Sequence, residues 1–284
     1  MNKINFLLVI IIANSALFIT AMEDFYGYKQ ASLEHTEGLV TLINEEAIND
    51  SDKIVVLPEK FRYEATKKAI EEGRLFVALD SKQNIVAYKK MFVPGDEELN
   101  DILINELRVS HLQEPVGSSI IDLNENFSVH DESSKTIKNM LVSPITYIYT
   151  GADFTNTNHR NKGINNRLTT YALNTLKSSV MENIKRKRSI YCAIMYGLTK
   201  SNVGNESDIL DGRTHSIVKQ FAPFAKEVAY EYNAFIPSTM LITRFSAFKP
   251  SFDPKDSECR PLSDNQSIPG YGYVIGCPLS KNNN

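Results

Sequence analysis

Residues 149–171 read YTGADFTNTNHRNKGINNRLTTY. The run leading into this stretch, SPITYIYTG (143–151), is rich in β-branched and aromatic residues and predicts a strand. The run leading out, GINNRLTTYALNTLKSSV, places Ile164, Leu168, Tyr171 or Ala172, and Leu176 on one face at helical spacing. Between them lies a polar loop of Thr, Asn, His, Arg, Lys and Gly. The first four N–H groups of a helix lack internal partners and carry the positive end of the helix dipole, so a strand-to-helix junction is a ready anion site. Gly163 lets the backbone approach an anion closely, because it has no Cβ. Arg160 and Lys162 add charge and directed donors. The pattern is neither the GxxxxGK-S/T phosphate loop nor GxGxxG, both of which are absent.

Outward from the loop, SIYCAIMYGL (189–198) is a nearly continuous apolar run and predicts a strand buried on both faces. THSIVKQFAPFAKEV predicts a helix with Pro223 inside it, and AYEYNAFIP and TMLITRFSAF read as two more strands. Upstream, LFVALD (75–80) and IVAYKKMF (85–92) joined by SKQN form the clearest hairpin in the chain. FYGYKQAS (25–32) predicts a first strand, followed by a helical pattern in LEHTEGLVTLINEEA. Pro58 is placed to open a helix through EKFRYEATKKAIEEG, which Gly73 stops. Residues 93–142 read as an insertion, and a tail begins at about residue 249. Strands and helices in this order pack as one central sheet of mixed direction with helices on its faces, α/β or α+β. A single domain from residue 22 to 284 accommodates it.

The chain has 284 residues, 42% of them hydrophobic and 23% charged, which is ordinary globular composition. A formal net charge of -3 gives no ground for a nucleic-acid partner. The N-terminal MNKINFLLVIIIANSALFITA has the layout of a signal peptide with cleavage after Ala21, so export is expected, with no membrane span in the mature chain. Cys192 lies in an apolar run and reads as core; Cys259 and Cys277 flank a Pro/Ser/Gly-rich segment and are either bridged or unrelated. The five histidines, at 35, 111, 130, 159 and 215, show no ligand spacing, so no metal is expected. The basic run Lys185–Arg188 falls at the end of a predicted helix, where cations are favourable.

The segment R-N-K-G-I-N (160–165) resembles the Q/R-x-x-G-x-G/A signature of the GNAT superfamily of N-acyltransferases. The element order around it is similar too, over most of residues 25–248. The resemblance implies a single mixed, mostly antiparallel central sheet flanked by helices, the GNAT-like acyl-CoA N-acyltransferase fold. It also implies acetyl-CoA as co-substrate, its diphosphate held by backbone groups of Asn161, Lys162, Gly163, Ile164 and Asn165, with Arg160 as a further binding residue matching the signature. Asn202, just after the strand at 189–198, falls near the family's pantetheine-contacting asparagine. Two departures stand out. Asn165 occupies a position that is usually Gly or Ala, and no acid lies between Ser143 and Thr150, where a general base is often found. The neighbourhood of the family's thiolate-protonating tyrosine holds Phe224 and Ala225.

The implied reaction is direct attack of a neutral amine on the acetyl-CoA carbonyl, resting on positioning and on N–H donors to the developing oxyanion. The acceptor is a small-molecule or protein amine. The nearest acid, Asp153, is the candidate base, with a loop acid that hydrogen-bonds the turn backbone as the alternative. Tyr149, Tyr191 and Tyr196 are candidate thiolate acids or packing aromatics. If Asp153 is the base, Asp153→Asn lowers turnover without weakening coenzyme binding. Since acetyl-CoA is cytosolic, three readings stay open: an exported chain acting in another cell's cytosol, an N-terminal segment that is an anchor facing the cytosol, or an inactive secreted GNAT-like protein binding some other anion.

Overall fold

The hairpin, the loop strand and the helix after it are all present in the computed structural model, which describes residues 26–49, 59–103, 116–123, 127–131, 139–199, 212–249 and 268–279. In chain order the elements are β1 (Gly27–Gln30), α1 (Thr36–Asn49), α2 (Glu59–Glu71), β2 (Leu75–Leu79) and β3 (Ile85–Phe92). Then come α3 (Asp96–Asp101), β4 (Gly117–Asp122), β5 (Val129–Asp131), β6 (Ile145–Thr155) and α4 (Ile164–Lys187). The last are β7 (Tyr191–Thr199), α5 (Gly212–Glu231), β8 (Thr239–Lys249) and β9 (Ile268–Pro278). One nine-stranded sheet has the order β1-β2-β3-β6-β7-β9-β8-β4-β5. Its β6–β7 pair is parallel and its other neighbouring pairs are antiparallel. The expected class, a mixed and mostly antiparallel sheet flanked by helices, is the observed one.

Local chemistry explains the boundaries. Asp80 closes the β2–β3 turn by accepting from the backbone N–H groups of Lys82 and Asn84 at 2.9 and 2.8 Å. Gly73, at φ 68°, ends α2; its N–H donates to the Ile70 carbonyl and that of Arg74 to the Ala69 carbonyl. Both helices after β6 lie on one face of the sheet, where Leu168, Ala172 and Leu173 of α4 and Val218, Phe221 and Ala225 of α5 join the largest core cluster. On the opposite face, Leu39 and Leu42 of α1 and Ile70 of α2 cover β2 and β3. Beside them, Leu99 and Ile102 cover the middle of the sheet together with Met140. No described helix is long and apolar enough to cross a membrane.

Two sequence expectations change. The segment AYEYNAFIP is not a strand: α5 runs to Glu231, and Asn233, at φ 56°, turns the chain out as the Ala234 N–H bonds the Ala229 carbonyl. The strand missing there is β9, in the stretch read as a tail, and it lies between β7 and β8. The segment read as an insertion supplies β4 and β5 to the far edge of the sheet. Within the β7–β9 ladder Cys277 stands opposite Cys192. Both are buried free thiols, and burial pushes the Cys192 thiol up to about 12. Cys259 and residues 1–21 lie outside the described residues.

Candidate anion and coenzyme site

The site begins where two parallel strands part. β6 and β7 are laddered from Ile145↔Tyr191 to Tyr149↔Met195, yet β6 continues to Thr155 and β7 to Thr199. Beyond Tyr149 each strand keeps only its outer neighbour, β3 for β6 and β9 for β7. The inner edges of 150–155 and 196–199 therefore face each other across a gap instead of being laddered together.

A bulge sits at the point of parting. Lys89 of β3 pairs with Asp153, but Met91 pairs with Thr150, so β6 carries one extra residue at Gly151–Ala152. A Cβ on Gly151 would lie 2.9 Å from the Tyr149 ring, so the bulge needs glycine there. The extra residue also inverts the alternation of the strand. Before it, Tyr147 and Tyr149 face away from α4 while Ile148 faces it; after it, Phe154 faces away. Asp153 is thereby turned onto the α4 face.

At the open end of the gap stands the N-terminus of α4. Ile164 anchors it in the core, 1% exposed. Asn161 at φ 62° and Gly163 at φ 69° bend the chain into the helix, both left-handed, a conformation that Gly and Asn tolerate best. Gly163 is the N-cap with no side-chain cap, and the first turn carries no acid. A Cβ built on Gly163 meets nothing within 4 Å, so the backbone here borders open space. Around it, Arg160 and Lys162 are exposed. The Arg160 Nε donates to the Thr155 carbonyl at 3.2 Å with its guanidinium over Phe154, and Arg167 donates to the Lys162 carbonyl at 2.7 Å. His159 joins the loop to the residue before β1 through its Nδ1, 3.1 Å from the Tyr26 hydroxyl. At the other end of α4, Lys187 pairs with Asp96 at 2.5 Å, which accounts for part of the basic run as a helix-end feature and holds the Asp96 carboxyl below its usual range.

The sequence-predicted residues thus divide. Arg160, Asn161, Lys162, Gly163, Ile164 and Asn165 form one continuous loop and first turn. Tyr149 packs on the opposite face, 8% exposed, with its ring 5.3 Å from that of Phe92. Tyr196 is stacked on Tyr273 at 4.9 Å and donates to the Thr214 hydroxyl at 2.6 Å. Asn202 lies outside the described residues. Asp153 lies behind the loop, not in it. Its Oδ2 accepts from the Lys89 ammonium at 2.7 Å and from the Asn165 side-chain amide at 3.3 Å. Lys89 was not singled out from the sequence, although paired lysines inside the apolar run IVAYKKMF oblige one of them to find a buried acid. No group of metal-ligating side chains occurs among the described residues.

No protein-family model matches the chain, and no curated protein sequence matches it. Solved structures with a similar course include an acetyltransferase of the GNAT family from Listeria monocytogenes, 7% identical, TM-score 0.37, covering 88% of this chain and 94% of that one. Another is the diaminobutyrate acetyltransferase of Paenibacillus lautus in complex with L-2,4-diaminobutyric acid and coenzyme A, 9% identical, TM-score 0.38, covering 92% and 99%. A variant of agmatine N-acetyltransferase in its apo form is 12% identical, TM-score 0.38, covering 89% and 100%. At these TM-scores the assignment of the site rests on the geometry of this chain.

Proposed function

We propose that the protein is a GNAT-type N-acetyltransferase, moving the acetyl group of acetyl-CoA to an amine. The observation that carries this is one convergence: two parallel strands part at a bulge, and an uncapped, acid-free helix N-terminus with an open left-handed glycine faces the mouth of the gap. An anion as large as a diphosphate suits the N–H groups of residues 161–165 and the cations of Arg160 and Lys162. An extended thiol arm suits the gap, where it can add to the edge of β6 as a further strand would. That places the thioester near the bulge at Gly151–Ala152, within reach of main-chain donors for a developing oxyanion. The amine arrives from the face covered by α1, α2, Leu99, Ile102 and Met140, where Tyr149 lies.

The test is thermal unfolding of the protein with and without acetyl-CoA, beside Gly163→Asn and Gly163→Asp. Asn and Asp both tolerate the left-handed conformation and both project into open space, so the pair differs chiefly in charge. A ligand at a hundredfold excess over Kd stabilises the wild type by ~2.7 kcal/mol. The expected shift is large in the wild type, reduced in Gly163→Asn and absent in Gly163→Asp. A shift that survives in Gly163→Asp refutes the cradle, and no shift in the folded wild type refutes the coenzyme.

A further inference from the structure

Asn165 stands where a glycine or alanine would leave the helix start smooth, and its side chain is not idle. Its amide donates to the Oδ2 of Asp153, the oxygen that also holds the Lys89 ammonium. Lys89 and Asp153 are directly opposed in the β3–β6 ladder, and their side chains are 3% and 10% exposed. The three groups therefore join two strands of the sheet to the second residue of α4, beside Gly163. Asp153 reaches this place only because the bulge at Gly151–Ala152 turns it to the α4 face.

We propose that Asp153 is a positioning residue, and that Lys89, Asp153 and Asn165 form a latch fixing the first turn of α4 against the sheet so that the loop amides keep one orientation toward the bound anion. This rests on the loop being the coenzyme cradle. The chemistry favours a latch over a base. The Oδ2 of Asp153 is already taken by a buried ammonium and an amide, and the carboxylate lies behind the helix start. Main-chain donors bind an anion well only when pre-set, since any turn left to order itself on binding costs affinity. The latch also accounts for the departure at Asn165, because glycine or alanine there could not reach Asp153.

The test compares the whole protein with Asn165→Ala, Asp153→Asn and the double variant. Asn165→Ala leaves the Lys89–Asp153 pair in place, so it reports on the latch even if Asp153→Asn folds poorly. Hydrogen exchange is read on the free protein at amides 161–167, and acetyl-CoA affinity by calorimetry. Asn165→Ala is expected to speed exchange in that segment alone and to weaken acetyl-CoA about tenfold, the worth of one hydrogen bond to a charged group. Asp153→Asn is expected to place its loss on coenzyme affinity, with the pH dependence of the residual turnover keeping its wild-type shape, and the double variant to lose less than the two singles combined. Unchanged exchange and affinity in Asn165→Ala overturn the latch. Loss of turnover in Asp153→Asn at unchanged coenzyme affinity, with a displaced pH profile, overturns it in favour of a base. A wild type that binds no acetyl-CoA sinks the coenzyme assignment separately, and the exchange comparison still decides the latch.

Discussion

Lys89 shows how a single side chain constrains the rest. An ammonium 3% exposed is tolerable only beside a carboxylate, and Asp153 supplies one at 2.7 Å. Lys89→Met removes the cation and leaves a buried carboxylate, which costs about 3–5 kcal/mol. Replacing both partners, as Lys89→Met with Asp153→Leu, leaves no stranded charge and is expected to recover most of that loss. Urea unfolding of the two variants checks this; a double variant no more stable than the single would show that the pair itself stabilises the fold. The loop at 160–165 was legible in the sequence because its chemistry is local: a glycine, two cations and a helix start. The orientation of Asp153 was not, because strand alternation from Tyr149 places it on the wrong face. Only the pairing of β6 with β3 reveals the extra residue that reverses it.

Among the elements, β9 is the instructive failure. The β2–β3 hairpin announces itself by β-forming residues on both sides of a polar turn, whereas β9 reads IPGYGYVIGCP, with glycines that lower strand propensity. One of those glycines is a packing requirement. A Cβ on Gly276 would collide with the sulfur of Met140, which arrives from residues 139–142 and is itself fully buried. Gly276→Ala is therefore expected to destabilise by about 1–3 kcal/mol, through overpacking. Combined with Met140→Ala, the loss should fall short of the sum of the single effects, because each change relieves what the other creates. Strict additivity in denaturant titrations would count against the contact. The misread strand at 229–237 has a complementary cause. Its aromatic and apolar residues suit a strand, but Val228 and Ala229 continue the buried face of α5, which runs to Glu231, while Tyr230, Phe235 and Ile236 are exposed.

At the scale of the molecule, the sheet is built around a late segment. β9 bonds to β7 along one side and β8 along the other, and its residues 270–277 are buried. A chain ended before Ile268 leaves β7 and β8 with open edges and the central core without Tyr271, Tyr273, Val274 and Ile275. Such a truncation is expected to show no cooperative thermal transition, measured beside the full chain by calorimetry; a sharp transition would mean that β7 and β8 can pair directly. The topology was unreadable in advance for the same reason. Helix and hairpin signals lie within a few residues, but the choice of which strands flank β9 is made by contacts across most of the chain.

That arrangement also sets a schedule. A ribosome delivers residues in order, and the middle of this sheet cannot close until residue 278 has emerged from the exit tunnel. Until then the nascent chain holds its earlier strands without the piece that joins them to β8, and the long-range pairing that follows is intrinsically slow. The central sheet is thus completed last, and only once β9 has been made.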